Sequence, residues 1–329
     1  MTRTVIAHLT DAHLGQKLTM GAEMAGTKMR YLDEPREHED HLRIVLDDIA
    51  GKGISDVVFG GDIGTQESVG GFFEILGGYD FKVSIILGNH DTYPNVVQHC
   101  RMDDGAVEGK MCFSHNNGHL KRIFLDSSDN VLGDDQRAWL ARELDGVSKA
   151  ALFVHHPVLA IDTPLEQAGV ALRDRDEVKT LLLSRTDCEL SVFCGHYHMI
   201  DEVRQANISQ FATPAVSYQI IRHSDPLRVD TDAFGYHRID GATAETIDLL
   251  ALVSPALKGK LPAAKRDNYA FRVREDAPIK LDNAGHARFG VMLYIPKSDP
   301  FSYYRVQVDI AGKNGKATAR IVSVQKTGE

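Results

Sequence analysis

Phe81-Lys82-Val83-Ser84-Ile85-Ile86-Leu87 is a short, largely apolar run that stops at Gly88-Asn89-His90-Asp91. The run predicts a buried strand. A glycine ends it, and three side chains able to hold a ligand follow at once. In open α/β sheets, ligands bind at the carboxyl ends of the strands. This stretch therefore suggests a fold class and a place for chemistry together.

Working outward, the same pattern recurs. The strand Thr4–Leu9 leads into Thr10-Asp11-Ala12-His13, and Asp56–Phe59 ends in Gly60-Gly61-Asp62. Ala150–Val154 ends in His155-His156-Pro157, and Leu190–Cys194 ends in Gly195-His196-Tyr197-His198. Asp11 and His13 stand two apart, so alternation along an extended chain turns both to one side. The same alternation sends Tyr197 away from its two histidine neighbours, into packing. His8, inside the first strand, reads as a core residue.

The intervening segments predict helices. Leu42, Val45, Leu46 and Ile49 repeat at three and four within 38–51. Further helices are expected over Gln66–Leu76, Gln136–Leu144 and Asp176–Leu183. Strands are expected near Met111–Phe113, at Leu120–Leu125, and at Gln210–Ala212, Ala215–Ile221, Gly235–Ile239 and Thr246–Val253. Strands alternating with helices at this spacing indicate βαβ units. The connections 14–37, 92–119 and 158–175 are long enough to be functional. We divide the chain into a catalytic domain, 1–253, and a β-rich C-terminal extension, 254–329, joined by a linker at Pro255–Asp267.

Composition narrows the function classes. The 329 residues include 37 Lys+Arg and 46 Asp+Glu; residues 254–329 hold 14 and 7 of these, giving a tail of +7 and a body of −16. An acidic body argues against a nucleic-acid grip, while converging carboxylates suit metal cations. The basic tail has several open readings: it lies against the acidic body, meets an anionic partner, closes over the site, forms a subunit contact in a homo-oligomer, or is a solvated surface. The four cysteines form no CxxC pair and no disulfide framework. The apolar runs are too short to span a membrane. The opening strand lacks a secretory h-region, so the expected location is the cytoplasm.

Collected at one sheet edge, Asp11, His13, Asp62, Asn89, His90, His155, His196 and His198 exceed what one tetrahedral ion needs. Mixed imidazole and carboxylate suits Mn, Fe or Zn more than Ca or Mg alone. Two metals sharing a carboxylate accommodate the set.

The order D-x-H, G-D, G-N-H-D, H, G-H-x-H resembles the calcineurin-like metallophosphoesterase superfamily over residues 1 to about 240. Leu125-Asp126-Ser127, the Gln136–Leu140 segment and His155-His156-Pro157 look most like its class III cyclic-nucleotide phosphodiesterase and glycerophosphodiesterase branch. The resemblance implies a four-layer α/β/β/α sandwich, here with a small C-terminal β appendage. It implies that Asp11, His13 and His198 hold one divalent or trivalent metal, that Asn89, His155 and His196 hold a second, and that Asp62 bridges them. His155 is favoured over His156. It implies hydrolysis of a small organic phosphodiester, of glycerophosphodiester or 3′,5′-cyclic nucleotide type, by a metal-bridging hydroxide. Phosphomonoester and pyrophosphate hydrolysis are the alternatives on the same metals, and a non-catalytic interaction protein is the alternative of another class. His90 is the implied proton donor. Asp91 either orients the His90 ring or caps a turn.

Overall fold

A computed structural model describes residues 5–16, 35–100, 107–117, 120–222, 229–231, 233–240, 243–248, 270–272, 286–294, 303–313 and 316–326. Most of the connection 14–37 and the whole linker Pro255–Asp267 lie outside these. The chain divides into two compact units, Met1–Ile247 and Asp248–Glu329.

In chain order the first unit holds β1 (Val5–Leu9), α1 (Pro35–Gly51), β2 (Asp56–Phe59), α2 (Val69–Leu76), β3 (Lys82–Ile85), α3 (Tyr93–Val96), β4 (Phe113–Asn117) and β5 (Leu120–Leu125). It continues through α4 (Asp134–Glu143), β6 (Lys149–Val154), α5 (Arg175–Leu183), β7 (Glu189–Cys194), β8 (Asp201–Gln205) and β9 (Ile208–Ala212). Two short strands, β10 (Gln219–Ile220) and β11 (Val229–Asp230), pair only with each other, and β12 (Gly235–Asp240) and β13 (Thr243–Asp248) follow.

Two sheets form. One has the order β13-β12-β1-β2-β3, with β1, β2 and β3 parallel; the other runs β4-β5-β6-β7-β9-β8, with β5, β6, β7 and β9 parallel. Between them lies a core of Ile6, Val58, Ile86 and Ile239 against Phe124, Phe153, Phe193 and Phe211. The four phenylalanines sit one per strand in matching register and stack at centroid spacings of 5.1, 5.2 and 5.3 Å. Strands about 4.8 Å apart dictate such a ladder. The outer faces are covered by helices. Leu42, Val45, Leu46 and Ile49 of α1 and Phe72 of α2 bury on the first sheet, and Trp139, Leu140, Val178 and Leu182 of α4 and α5 on the second. The result is the α/β/β/α layering expected from the sequence.

Some elements differ from expectation. Residues 66–76 split into a 3-10 turn, Gln66–Ser68, and then α2. The strand expected near Met111–Phe113 starts at Phe113 and runs to Asn117. Of Ala215–Ile221, only Gln219–Ile220 is strand, because Ala215 bridges to Thr10 and the Gln219 side chain bonds back to the Ala215 carbonyl. Strand β8 carries no apolar alternation. It is a charged edge strand, a composition that blocks edge-to-edge pairing, and periodicity is silent on it.

The second unit is an antiparallel sheet of β14 (Ala270–Arg272), β15 (His286–Tyr294), β16 (Tyr303–Lys313) and β17 (Lys316–Lys326), in that order, with a register shift at Gln307/Val308. Among the described residues no helix is long and apolar enough to cross a membrane.

One ion pair is buried between the two sheets of the first unit. Arg122 Nη1 on β5 donates to Asp56 Oδ2 on β2 at 2.7 Å, while Arg122 Nε and Asp56 Oδ1 have no hydrogen-bond partner. Removing one member of such a pair strands a buried charge. Arg122→Ala is therefore expected to lower the unfolding free energy by about 3–5 kcal/mol. Joint apolar replacement, Asp56→Leu with Arg122→Met, should recover most of that loss. Urea unfolding followed by the fluorescence of Trp139, the single tryptophan of the chain, reports on this unit.

Candidate metal centre

The ends of β1, β2, β6 and β7, with the loop after β3, converge at one rim of the sandwich, so both sheets contribute. The loops after β1 and β2 zip together through backbone bonds: Asp11 N–H to Gly61 C=O, His13 N–H to Asp62 C=O and Leu14 N–H to Ile63 C=O, at 2.9, 3.0 and 2.9 Å. The loops after β6 and β7 join likewise, Gly195 N–H donating to the His155 carbonyl at 2.9 Å.

Alternation along extended strands is not what turns these side chains inward. Asp11, His13, Asp62, His196 and His198 all have left-handed backbone, with φ of 57°, 46°, 57°, 69° and 49°. In the D-x-H and H-x-H pairs both members have positive φ, so extended period-two alternation does not orient them, and the expectation from period two is corrected accordingly. Such conformations cost of order 1–3 kcal/mol each for residues other than glycine, and persist where surrounding structure imposes them. Tyr197, between the two histidines, is fully buried, packed with Ile161, Leu165 and Met199.

Glycines let the carboxylates come this close to neighbouring chain. A Cβ at Gly88 would overlap Asp62 Oδ1, and one at Gly195 would overlap Asp11 Oδ2. The G-N-H-D and G-H-x-H glycines are thus steric requirements of the pocket.

Three groups of side chains place their ligand atoms within 4.8 Å of one another: Asp11, His13 and His198; His13, Asp62 and His90; Asp62, His155 and His196. His198 Nε2 lies 3.2 Å from Asp11 Oδ1, and His155 Nε2 3.2 Å from Asp62 Oδ2. His13 Nε2 is 3.0 Å from His198 Nε2 and 3.5 Å from Asp62 Oδ2. Asp11 and Asp62 are 0% and 2% exposed. Burial alone would raise the pKa of both; His198 and His155 beside Asp11, and His155 and His13 beside Asp62, overturn this and hold both far below the usual carboxylate range. Conversely, burial disfavours charge on His155, yet Asp62 and Asp11 pull its pKa up to about 10. Two converging buried carboxylates draw positive charge onto whatever stands beside them.

The imidazoles show how they would meet a cation. His155 Nδ1 faces the Gly60 carbonyl at 2.8 Å, His198 Nδ1 the Tyr218 carbonyl at 3.0 Å, and His196 Nε2 the Val170 carbonyl at 2.8 Å. His13 Nδ1 faces Gln16 Oε1. These oxygens only accept, so each outer nitrogen carries the proton. The inner nitrogen, Nε2 of His13, His155 and His198 and Nδ1 of His196, is the one left to face a cation, which on His155 would displace the proton that Asp62 and Asp11 favour there. Metal-binding histidines are held in this way. His155 Nε2 and Asn89 Oδ1 are buried without a hydrogen-bond partner, which suits acceptors waiting for a cation. His156 is occupied elsewhere, Nδ1 by Ser127 Oγ at 2.8 Å and Nε2 by Asn130 Oδ1 at 3.0 Å. The clustered imidazoles and carboxylates are consistent with a binuclear divalent-metal site.

The two remaining candidates part company. His90 is exposed at the rim; its ring lies 5.0 Å from that of His13, and Gln16 Nε2 approaches its Nδ1 at 3.2 Å. Asp91 faces backbone instead. Its buried carboxylate accepts the backbone N–H groups of Asp62 and Gly88 on Oδ2, at 2.7 and 2.9 Å, and of Ile63 on Oδ1, at 2.9 Å. Asp91 therefore fastens the β2 and β3 loops together, and the expectation that it orients the His90 ring is corrected. Burial first, and then the Asp62 charge, push its pKa up to about 7 against the pull of those N–H groups.

Sequence patterns did not reveal Gln16 or the carbonyls of Gly60, Val170 and Tyr218. They also missed His38 and His41 of α1, whose Nδ1 atoms bond the His13 and Ser217 carbonyls at 2.8 and 2.9 Å. Backbone carbonyls have no sequence signal, and the two α1 histidines look like any polar helix face.

Asp91→Ala would leave three buried N–H groups unpaired, each costing about 1–3 kcal/mol. We expect it to unfold at markedly lower urea concentration than Asp91→Asn, which keeps an acceptor oxygen. Comparing the two midpoints checks the fastening role.

No protein-family model matches the chain. It is 28% identical over 175 residues to a probable cyclic nucleotide phosphodiesterase of Fibrobacter succinogenes, covering 51% of this chain and 67% of that protein. It is 27% identical over 179 residues to the glycerophosphodiester phosphodiesterase GpdQ of Enterobacter lignolyticus, covering 50% and 63%. To the 3′,5′-cyclic adenosine monophosphate phosphodiesterase CpdA of Escherichia coli strain K12 it is 25% identical over 252 residues, covering 72% and 85%. Among solved structures, a dimetal phosphatase from Danio rerio shares the fold, with a TM-score of 0.53 at 13% identity over 75% of this chain and 99% of that one.

Proposed function

We propose that this chain, which its relatives and fold assign to the calcineurin-like metallophosphoesterase superfamily, hydrolyses small organic phosphodiesters of the glycerophosphodiester or 3′,5′-cyclic nucleotide type. One observation carries the reading. Four imidazoles, each locked by an outer acceptor, turn their inner nitrogens toward two buried carboxylates. The relatives' names, all of phosphodiesterases, support the substrate class.

Asp11, His13 and His198 would hold one ion in this reading and Asn89, His155 and His196 the other, with Asp62 shared between them. Ions so held supply Lewis-acid stabilisation of a phosphoryl oxygen and lower the pKa of bound water. The chain's own residues do the rest. Asn89 contributes an oxygen without a charge, which keeps the pocket attractive to an anionic diester. The His90 N–H donates to Asp62 Oδ1 at 2.9 Å, fixing this loop against the bridging carboxylate. The exposed His90 ring stands where a proton can pass to a leaving alkoxide. Such a positioned acid contributes about 10²–10⁴-fold.

The full chain loaded with Mn²⁺ should cleave bis-(p-nitrophenyl) phosphate faster than p-nitrophenyl phosphate. The reverse order would favour the monoesterase alternative, and no cleavage of either would refute the enzyme. Asp62→Asn should lose both metals together, read by metal analysis after gel filtration; full occupancy would rule out a bridging role. His90→Ala should retain both metals while kcat falls by about 10²–10⁴-fold, most for poor leaving groups.

A further inference from the structure

We propose that Gln16 is a positioning residue that sets two histidines at once. It holds His13 with its Nε2 lone pair in the pocket, and His90 with its proton on Nε2. The inference rests on the proposed phosphodiesterase reading for its catalytic consequence, and on geometry for the rest.

Gln16 lies three residues after His13 on a tight turn. Gly15 has φ of 71°, and the Gln16 N–H returns to the His13 carbonyl at 3.1 Å. The turn lays the amide between two rings. Gln16 Oε1 meets His13 Nδ1, and Gln16 Nε2 lies 3.2 Å from His90 Nδ1. The direction of this chain of bonds follows from the proposed metal site. His13 Nε2 faces His198 Nε2 and Asp62 Oδ2, and a histidine that gives its Nε2 lone pair to a metal carries its ring proton on the outer Nδ1. A protonated Nδ1 needs an acceptor, which orients the amide with its oxygen toward His13. The NH₂ end is then left for His90, and it can only donate. His90 Nδ1 must accept, so the neutral ring carries its proton on Nε2. That tautomer can donate to a leaving group from the nitrogen farther from Gln16. The two rings are otherwise held at 5.0 Å with their planes 74° apart.

Gln16→Glu separates this role from a merely structural one. The carboxylate still accepts from His13, but offers no donor to His90. The His90 ring should then turn its proton to Nδ1 to bond the carboxylate. Two-bond ¹H–¹⁵N spectra of the zinc-loaded full chain, with labelled histidine at a fixed pH above 7, read the tautomer directly. The His90 signals are identified by their loss in His90→Ala. We expect the Nε2–H form in the native chain, the Nδ1–H form in Gln16→Glu, and a mixture in Gln16→Met, which lacks both donor and acceptor. In kinetics, kcat of Gln16→Glu should fall by about tenfold or more for alkyl diesters and little for p-nitrophenyl diesters, with KM nearly unchanged. A native-like His90 tautomer in both Gln16→Glu and Gln16→Met would overturn the proposal, as would equal losses for good and poor leaving groups. A native chain inactive on every diester would refute the proposed activity, and the spectra would still judge Gln16.

Discussion

Two carboxylates, Asp11 and Asp62, are buried side by side at the ends of adjacent parallel strands. Removing one anion from water is expensive, and removing two within reach of the same imidazoles is more so. Much of the rim is arranged to make this tolerable. Backbone N–H groups of His196 and His90 donate to Asp11 and Asp62, Thr10 Oγ1 donates to Asp11 Oδ2 at 2.8 Å, and four imidazole nitrogens crowd the space between. The remaining demand for positive charge is what makes the rim a cation site.

The demand propagates outward through the backbone. Asp11, His13, Asp62, His196 and His198 adopt left-handed conformations, and glycines stand where side chains would strike carboxylate oxygens. Loop carbonyls from separate segments, Gly60, Val170 and Tyr218, fix the imidazole tautomers. Asp91 is part of the same economy of charge: a buried acid that ties the β2 and β3 loops together instead of meeting substrate. The strain and burial at the rim are offset by the bulk of the sandwich, where the phenylalanine ladder and two helix-covered outer faces supply ordinary apolar packing.

The fold was legible because its signals are local. Short apolar runs ending in Gly, Asp or His, separated by helices with three-and-four periodicity, specify parallel strands and crossover helices. Elements without such a pattern were missed or misplaced: the charged edge strand β8, the start of β4, and the Ala215–Ile221 segment, of which only Gln219–Ile220 is strand. The side chains that gather at the rim were legible because Asp and His recur at the strand ends that meet there.

By itself the sequence determined which side chains gather and at which strand ends, since residue type and strand periodicity are written along the chain. Tertiary structure alone decided how they are presented. It gave His13, His196 and His198 left-handed backbone in place of extended alternation, and assigned Asp91 to loop fastening. It also set Gln16 between His13 and His90, and chose the nitrogen each imidazole turns inward. These outcomes depend on hydrogen bonds between segments far apart in the chain, where acceptor carbonyls and close backbone approaches leave no mark on the residues that use them.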